Sequence, residues 1–209
     1  MSARKNISID QNLLRTRPGL REEALKRHNK IHPKKLALWV GLVSLVMMFT
    51  ALTSAFIVRR AAGNWLEFSI PSIFYVNTLV IVASSITLHA AYVAFKREAD
   101  ALYKSMLILT FLLGAAFVVL QYFGWLEMAA GGVPPKTNPA GDFVYAISGL
   151  HAAHVIGGIA ILAVCLIVAF ATKLRATPAR RLRLQLAITY WHFVDVLWLY
   201  LIIFLSLQR

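Results

Sequence analysis

Residues 189–209 read TYWHFVDVLWLYLIIFLSLQR, an apolar stretch with a histidine and a carboxylate near its middle. Its length is close to the roughly 20 apolar residues that a helix needs to cross the hydrocarbon core of a bilayer. His192 and Asp195 stand three positions apart, so a helix places both on one face. Ionisable groups at this depth are costly unless a partner satisfies them. The stretch therefore predicts a membrane-spanning helix with a polar contact to a neighbour.

The composition of the whole chain is that of a membrane protein. Of the 209 residues, 59% are hydrophobic and 15% are charged, against about half and about a quarter in a soluble domain. Five apolar runs are long enough to span a bilayer, at about 36–58, 70–95, 105–125, 143–172 and 185–207. We expect an all-α integral membrane bundle of five transmembrane helices in residues 36–209, preceded by a basic cytoplasmic N-terminal tail at 1–35.

The distribution of Lys and Arg predicts the orientation. If the N-terminus lies inside, the tail and the two inner loops hold 18 of the 22 Lys and Arg residues. Such an excess is typical of the cytoplasmic segments of membrane proteins. We therefore expect the N-terminus inside and the C-terminus outside. The same asymmetry explains the net charge of +13 without nucleic acid as a partner.

A second polar pair lies in the preceding span. GLHAAHVIGG, at 149–158, carries His151 and His154 with the spacing of one helix face. At 1.5 Å per residue, His154 lies about 16 Å from the outer boundary and Asp195 about 15 Å from the inner one. Both positions are near the midplane, and the two helices are joined by a short loop. We therefore expect a histidine or a hydroxyl of the neighbouring helix to hold Asp195, with small residues allowing close approach.

Three interpretations of the cluster of His151, His154, His192 and Asp195 are open. A metal or haem site uses these residue types, but no Cys or Glu cluster completes a ligand set. A proton relay needs titratable groups at this depth, but no chain of carboxylates crosses the bilayer. Polar contacts that fix helix packing need only the residues present, and the sequence favours this structural interpretation.

The two motifs together resemble a known family. GLHAAHVIGG and, on the next span, TYWHFVDVLWLYL resemble subunit III of the haem–copper terminal oxidases, the cytochrome c and quinol oxidases. The matching positions are His151, His154, Tyr190, Trp191, His192, Phe193, Val194, Asp195, Val196 and Trp198. Weaker similarity extends back to Trp39. The first two helices of the family are missing here, as in its short five-helix bacterial form.

The resemblance implies an accessory subunit of a respiratory oxidase in the bacterial cytoplasmic (inner) membrane. Such a subunit stabilises the complex, binds structural phospholipids and holds no haem or copper, which belong to the partner catalytic subunits. Its partners are catalytic subunit I, subunit II, small subunits or a larger respiratory supercomplex, and membrane lipids. No catalytic or metal-ligating residue is then expected in this chain. Tyr190, Trp191, Phe193 and Trp198 would be packing residues of the family motif.

Two features of the sequence concern lipids and buried acids. The cationic loop before the last span predicts contacts with lipid phosphate groups at the inner face, made by Lys173, Arg175, Arg180 and Arg181. The buried carboxylates that the resemblance would imply are absent, because Leu45, Asn77 and Gly124 stand at those positions. Roles of those acids in proton uptake or lipid chemistry are therefore not carried over to this chain.

Two other functions compete with the oxidase subunit. One is the subunit III-like protein associated with nitric oxide reductases, which shares the fold and would be distinguished by its co-purified subunits. The other is an autonomous small transporter that uses the His/Asp cluster as its site. The lack of internal repeats and of helices with paired Gly/Pro interruptions counts against a transporter.

Overall fold

The computed structural model describes residues 32–172 and 177–208. These contain five α-helices, namely α1 (Pro33–Ala61), α2 (Ile73–Lys96), α3 (Asp100–Ala130), α4 (Pro139–Ala171) and α5 (Pro178–Leu207). All five are long and apolar enough to cross a membrane, and the described residues contain no β-strand. The predicted all-α bundle of five transmembrane helices is confirmed. Most of the basic tail lies outside the described residues, as do Lys173 and Arg175.

The helix ends differ from the predicted spans for local reasons. The helices α4 and α5 each begin with a proline that follows a capping side chain. Asn138 accepts from the N–H of Ala140 at 2.8 Å, and Thr177 accepts from that of Arg180 at 3.4 Å. The helix α2 begins later than the apolar run because Pro71 disfavours a helical conformation at the residue before it.

The chain divides into two compact units, residues 1–40 and 41–209. In the first unit, the described residues begin α1, where His32 Nδ1 accepts from the N–H of Lys34 at 3.3 Å. The second unit contains the remainder of α1 and the other four helices. All contacts described below lie within this second unit.

Four helices of the second unit form a closed ring, in which α2 packs on α3, α3 on α4, α4 on α5 and α5 on α2. The helix α1 contacts this ring through large side chains. The ring of Phe49 lies 5.9 Å from that of His154 on α4, and the ring of Phe56 lies 5.3 Å from that of Phe204 on α5. Aromatic contacts therefore attach α1 to the four-helix ring.

Trp191 of α5 fills the centre of the ring. Its side chain is 2% exposed, and its indole Nε1–H donates to Ser84 Oγ of α2 at 3.0 Å. A Cβ at Gly114 of α3 or at Gly158 of α4 would approach indole carbons to 2.6 or 2.9 Å. One side chain thus contacts three neighbouring helices, and only glycine leaves room for it at both positions.

Trp198 forms a second layer about two helical turns further along α5. It is fully buried, and its Nε1–H donates to Thr78 Oγ1 of α2 at 3.0 Å. Its ring centroid lies 5.1 Å from that of Phe117 on α3 and 5.0 Å from that of His151 on α4. The interior of the ring therefore contains two tryptophans of α5, each of which contacts α2, α3 and α4.

We expect Gly158→Ala to lower the free energy of unfolding by about 1–3 kcal/mol, the usual cost of adding a methyl group to a filled core. The new Cβ would meet an indole that three helices hold in place. Thermal unfolding of the purified protein in detergent, followed by circular dichroism, measures the change.

The matched control is Gly157→Ala, whose Cβ would make only an ordinary 3.5 Å contact with the Tyr190 hydroxyl. Both variants gain the same helix propensity, so the difference between them isolates the contact with Trp191. Equal stability of the two variants would contradict a filled site around this indole.

Candidate functional site

Asp195 and His192 of α5 meet one hydroxyl group of α2. The Ser85 hydroxyl hydrogen-bonds to Asp195 Oδ2, and its oxygen lies 2.9 Å from His192 Nδ1. Asp195 is 4% exposed, whereas Ser85 and His192 are half-buried. We call these three residues the Asp–Ser–His cluster. Its serine bridges an acid and a base that belong to the same face of α5.

The partner of Asp195 is thus a hydroxyl, but it comes from α2 and not from α4. No hydrogen bond among the described residues joins Asp195 to His154. Instead, His154 Nδ1 lies 2.7 Å from the carbonyl oxygen of Leu150 on its own helix, and the Tyr190 hydroxyl donates to the carbonyl oxygen of His154 at 3.0 Å. The expectation of a contact with α4 was wrong because α5 has two neighbours in the ring, and depth alone does not select between them.

His151 is separate from the Asp–Ser–His cluster. It is 0% exposed, and neither of its ring nitrogens has a hydrogen-bond partner among the described residues. Its ring lies between those of Phe49, Phe117 and Trp198, at centroid distances of 6.4, 5.7 and 5.0 Å. The imidazole therefore packs as an aromatic side chain, and no hydrogen bond among the described residues joins the histidines of α4 to His192 or Asp195.

The donor set for a metal ion is not assembled in the part of the chain that the structure describes. These residues contain no group of three or more His, Cys, Asp or Glu side chains placed to hold a metal. His151 and His154 share one face of α4, but the carboxylate and the histidine of α5 bind Ser85 of α2 instead. The geometry of these residues suits hydrogen bonding and packing.

The remaining family-motif residues lie in or against the hydrophobic core. Trp191 and Trp198 are core residues, and Tyr190 and Phe193 pack against the core while half-buried. The polar hydrogen of each tryptophan is used within the bundle, by Ser84 and Thr78 respectively. The motif of α5 therefore supplies both the interior packing and the Asp–Ser–His cluster.

A buried amide pair joins α2 to α3. Asn77 Nδ2 donates to Gln121 Oε1 at 3.0 Å, and both residues are 1% exposed. Near this pair, a Cβ at Gly124 would approach the ring of Phe74 to 3.0 Å. The two helices thus approach closely at Gly124, and the buried pair holds them in register.

The hydroxyl groups of α2 that bind α5 were not predicted from the sequence. Ser84, Ser85 and Thr78 each bind a polar group of α5, and Thr87 pairs with Thr110 of α3 at 2.8 Å. The signal available in the sequence was NTLVIVASSITLH, at 77–89, where small polar residues recur inside an apolar helix. Such residues commonly hydrogen-bond across helices in membranes.

The described cations of the last loop lie at the beginning of α5. Arg180 is half-buried, and its Nη2 donates to the carbonyl oxygen of Val168 on α4 at 3.2 Å. Arg181 is exposed. The guanidinium of Arg180 thus binds near the C-terminal end of α4, where a cation is favoured by the helix dipole.

Comparison with known proteins matches nearly the whole chain to one family. The model of the family described as cytochrome c oxidase subunit III matches residues 27–207. The chain is 29% identical over 191 residues to cytochrome c oxidase subunit 3 of Corynebacterium diphtheriae, a match that covers 88% of this chain and 90% of the relative.

Two further relatives match over most of their length. Cytochrome c oxidase subunit 3 of Thermostichus vulcanus is 29% identical over 187 residues, which cover 83% of this chain and 88% of the relative. A probable quinol oxidase subunit 3 of Staphylococcus haemolyticus is 26% identical over 173 residues, which cover 80% and 85%. These three relatives are thus each matched over 85% or more of their own length.

We expect Asn77→Leu to lower the free energy of unfolding by about 1–3 kcal/mol, because it leaves the amide of Gln121 unpaired in the interior. Adding Gln121→Met removes that unpaired amide, so the double variant should be more stable than Asn77→Leu alone. A double-mutant cycle measured by unfolding in detergent gives the coupling, expected at about 0.6–1.7 kcal/mol. Strictly additive losses would show that the two amides do not interact.

Proposed function

The chain belongs to the cytochrome c oxidase subunit III family, and from this premise we propose how it serves its complex. It is the accessory subunit III of a haem–copper oxidase, a multi-pass membrane protein of a multi-subunit oxidase complex. The proposal is that this chain has no catalytic centre and binds no haem or copper. It packs against catalytic subunit I, with subunit II, small subunits or a respiratory supercomplex as further partners, in the bacterial inner membrane.

The observation that carries this proposal is the use of the family motif inside the bundle. Trp191 and Trp198 fill the ring of four helices, and Asp195 binds Ser85. These side chains are engaged in holding four helices together, and the described residues assemble no metal site. A membrane body whose motif residues are used in its own packing suits a subunit that stabilises the complex.

The surface of the second unit supports a role in binding lipids. A groove of about 820 Å³ lies between α1 and α4. Small side chains line most of its length, and one cation, Arg59, and one carboxylate, Asp142, lie at one end. The lining residues are Ala51, Ser54, Ala55, Val58, Arg59, Ala62, Pro139, Asp142 and Phe143. An acyl chain fits the apolar part of such a groove, with its polar headgroup near Arg59. We propose that structural phospholipid occupies it.

The orientation belongs to the same proposal. With the N-terminus inside, the beginning of α5 faces the cytoplasm, as does the loop at 173–176. Lys173, Arg175, Arg180 and Arg181 would then bind phosphate groups of the inner leaflet. Arg180 binds α4, whereas Arg181 is exposed at the described end of this loop.

Affinity purification of the chain from its native membranes, in mild detergent, tests the function. We expect a preparation that absorbs as haem, consumes oxygen and contains a large catalytic subunit identified by mass spectrometry. The same tag on an unrelated membrane protein of that cell is the control. A colourless, stable chain without companions would contradict an accessory subunit and would favour the transporter.

The lipid contacts are tested by replacing Lys173, Arg175, Arg180 and Arg181 together with Gln. Removing these cations is expected to lower the anionic phospholipid that co-purifies, because each cation near the surface contributes about 1 kcal/mol to lipid attraction. Lipid extraction and phosphate analysis give the amount. Lys104→Gln is the control, since Lys104 is already paired with Asp100 at 2.6 Å. Unchanged lipid content in the fourfold variant would contradict the contacts.

A further inference from the structure

The Asp–Ser–His cluster is an unbroken chain of groups that can pass protons. Ser85 lies between Asp195 Oδ2 and His192 Nδ1. A hydroxyl donates one hydrogen bond while it accepts others, so it can connect an acid to a base. Asp195 and His192 lie on the same helix, and among the described residues the hydrogen bonds that α2 makes to them come from this hydroxyl. Removing one oxygen atom would therefore interrupt the chain.

Asp195 has little to stabilise a negative charge. It is 4% exposed, and its Oδ1 is buried without a hydrogen-bond partner among the described residues. It forms no salt bridge within that part of the chain, where Lys104 pairs with Asp100 instead. Burying a carboxylate with a single hydroxyl for compensation is costly. A protonated carboxyl group, by contrast, donates to Ser85, which then donates to His192 Nδ1.

A polar stripe leads from this cluster to one end of the bundle. Ser85, His89, Tyr92 and Lys96 follow one another on α2 at spacings of three or four residues, which is one helix face. Gln185 Nε2 of α5 donates to the Tyr92 hydroxyl at 3.1 Å, and Lys96 Nζ lies 4.3 Å from the centroid of the Tyr92 ring. Lys96, the last residue of α2, is exposed, so the stripe reaches the surface at that end of the bundle.

The stripe does not continue past Asp195 in the same way. Beyond Asp195, Trp198 donates to Thr78. The next hydrogen bond described between α2 and α5 in that direction joins Tyr75 to Ser206 at 3.1 Å. Ser206 is about 16 Å further along α5 than Asp195. Asp195 is thus the deepest group of a path that opens at the end of the bundle where Lys96 and Gln185 lie.

We propose that the Asp–Ser–His cluster is a proton-binding site within the membrane, loaded and unloaded through His192 from the Lys96 end of the bundle. The predicted orientation makes this the cytoplasmic end. The site is a dead-end store for one proton and does not conduct across the bilayer. It adds a function to an accessory subunit that otherwise only stabilises its complex.

The transfer conserves every atom and involves no redox change. The Oδ2–H bond of Asp195 breaks as its proton binds Ser85 Oγ, and the original hydroxyl proton of Ser85 passes to His192 Nδ1. The products are an Asp195 carboxylate, an intact Ser85 hydroxyl and a His192 imidazolium. Loss of the Nε2 proton of His192 to the polar stripe then completes release, and the reverse sequence reloads the site.

Infrared spectroscopy of the purified preparation in lipid nanodiscs tests the site. We expect a carbonyl band of a protonated carboxylic acid that is present in the native protein and missing in Asp195→Asn. On transfer to D₂O, the band should shift as its proton exchanges. Ser85→Ala should keep the band but slow that shift about tenfold, the effect of losing one hydrogen bond on the path.

Two variants complete the test. Ser85→Thr retains the hydroxyl and should exchange at the native rate, whereas Ser206→Ala, on the same pair of helices but outside the path, should leave the rate unchanged. If Ser85→Ala does not fold, His192→Gln replaces it with the same expected slowing. The proposal is overturned if Asp195→Asn removes no carboxylic acid band, or if the variants of Ser85 and His192 exchange as the native protein does. The readout needs neither haem nor oxygen consumption, so it fails or succeeds independently of the proposed function.

Discussion

The position of Trp191 between two glycines is the constraint on which the rest of the structure depends. Lipid provides no hydrophobic force between helices, so association depends on close packing and hydrogen bonds. Gly114 and Gly158 let α3 and α4 approach the indole, and Ser84 binds its N–H from α2. A single side chain thus sets the distance between α5 and its three neighbours, and with it the place of every other residue on α5.

The polar groups of α2 follow from the same constraint. Ser84 donates to its own helix backbone at 2.7 Å while it accepts the indole N–H of Trp191, and Thr78 does likewise with Trp198, donating to its backbone at 2.8 Å. Each of these hydroxyls thus uses its one donor and accepts one hydrogen bond within the bundle. Ser85, the next residue, faces Asp195 and His192 instead. Neighbouring serines on one helix therefore serve the packing of the bundle and the Asp–Ser–His cluster.

The membrane spans could be predicted from the sequence, whereas the contacts between them could not. The five spans were predicted correctly because the bilayer demands long apolar segments whatever their neighbours. A hydroxyl or histidine partner was expected for Asp195, since a buried carboxylate needs one. The choice of α4 was wrong because depth does not select between the two neighbours of α5. Ser85 was missed because serine within a helix can also bond its own backbone. Its sequence context therefore does not distinguish a bridging hydroxyl from an ordinary one.

The sequence by itself determined the class of fold, the number of spans and the family, because length, apolar composition and the motifs of α4 and α5 carry that information locally. Tertiary structure alone decided which residues meet. Apolar side chains surround a membrane helix on nearly all sides, so hydrophobicity does not fix its rotation about its own axis. Shape fixes that rotation instead, through the fit of Trp191 against Gly114 and Gly158. The same fit brings Ser85 to Asp195 and leaves His151 among aromatic rings.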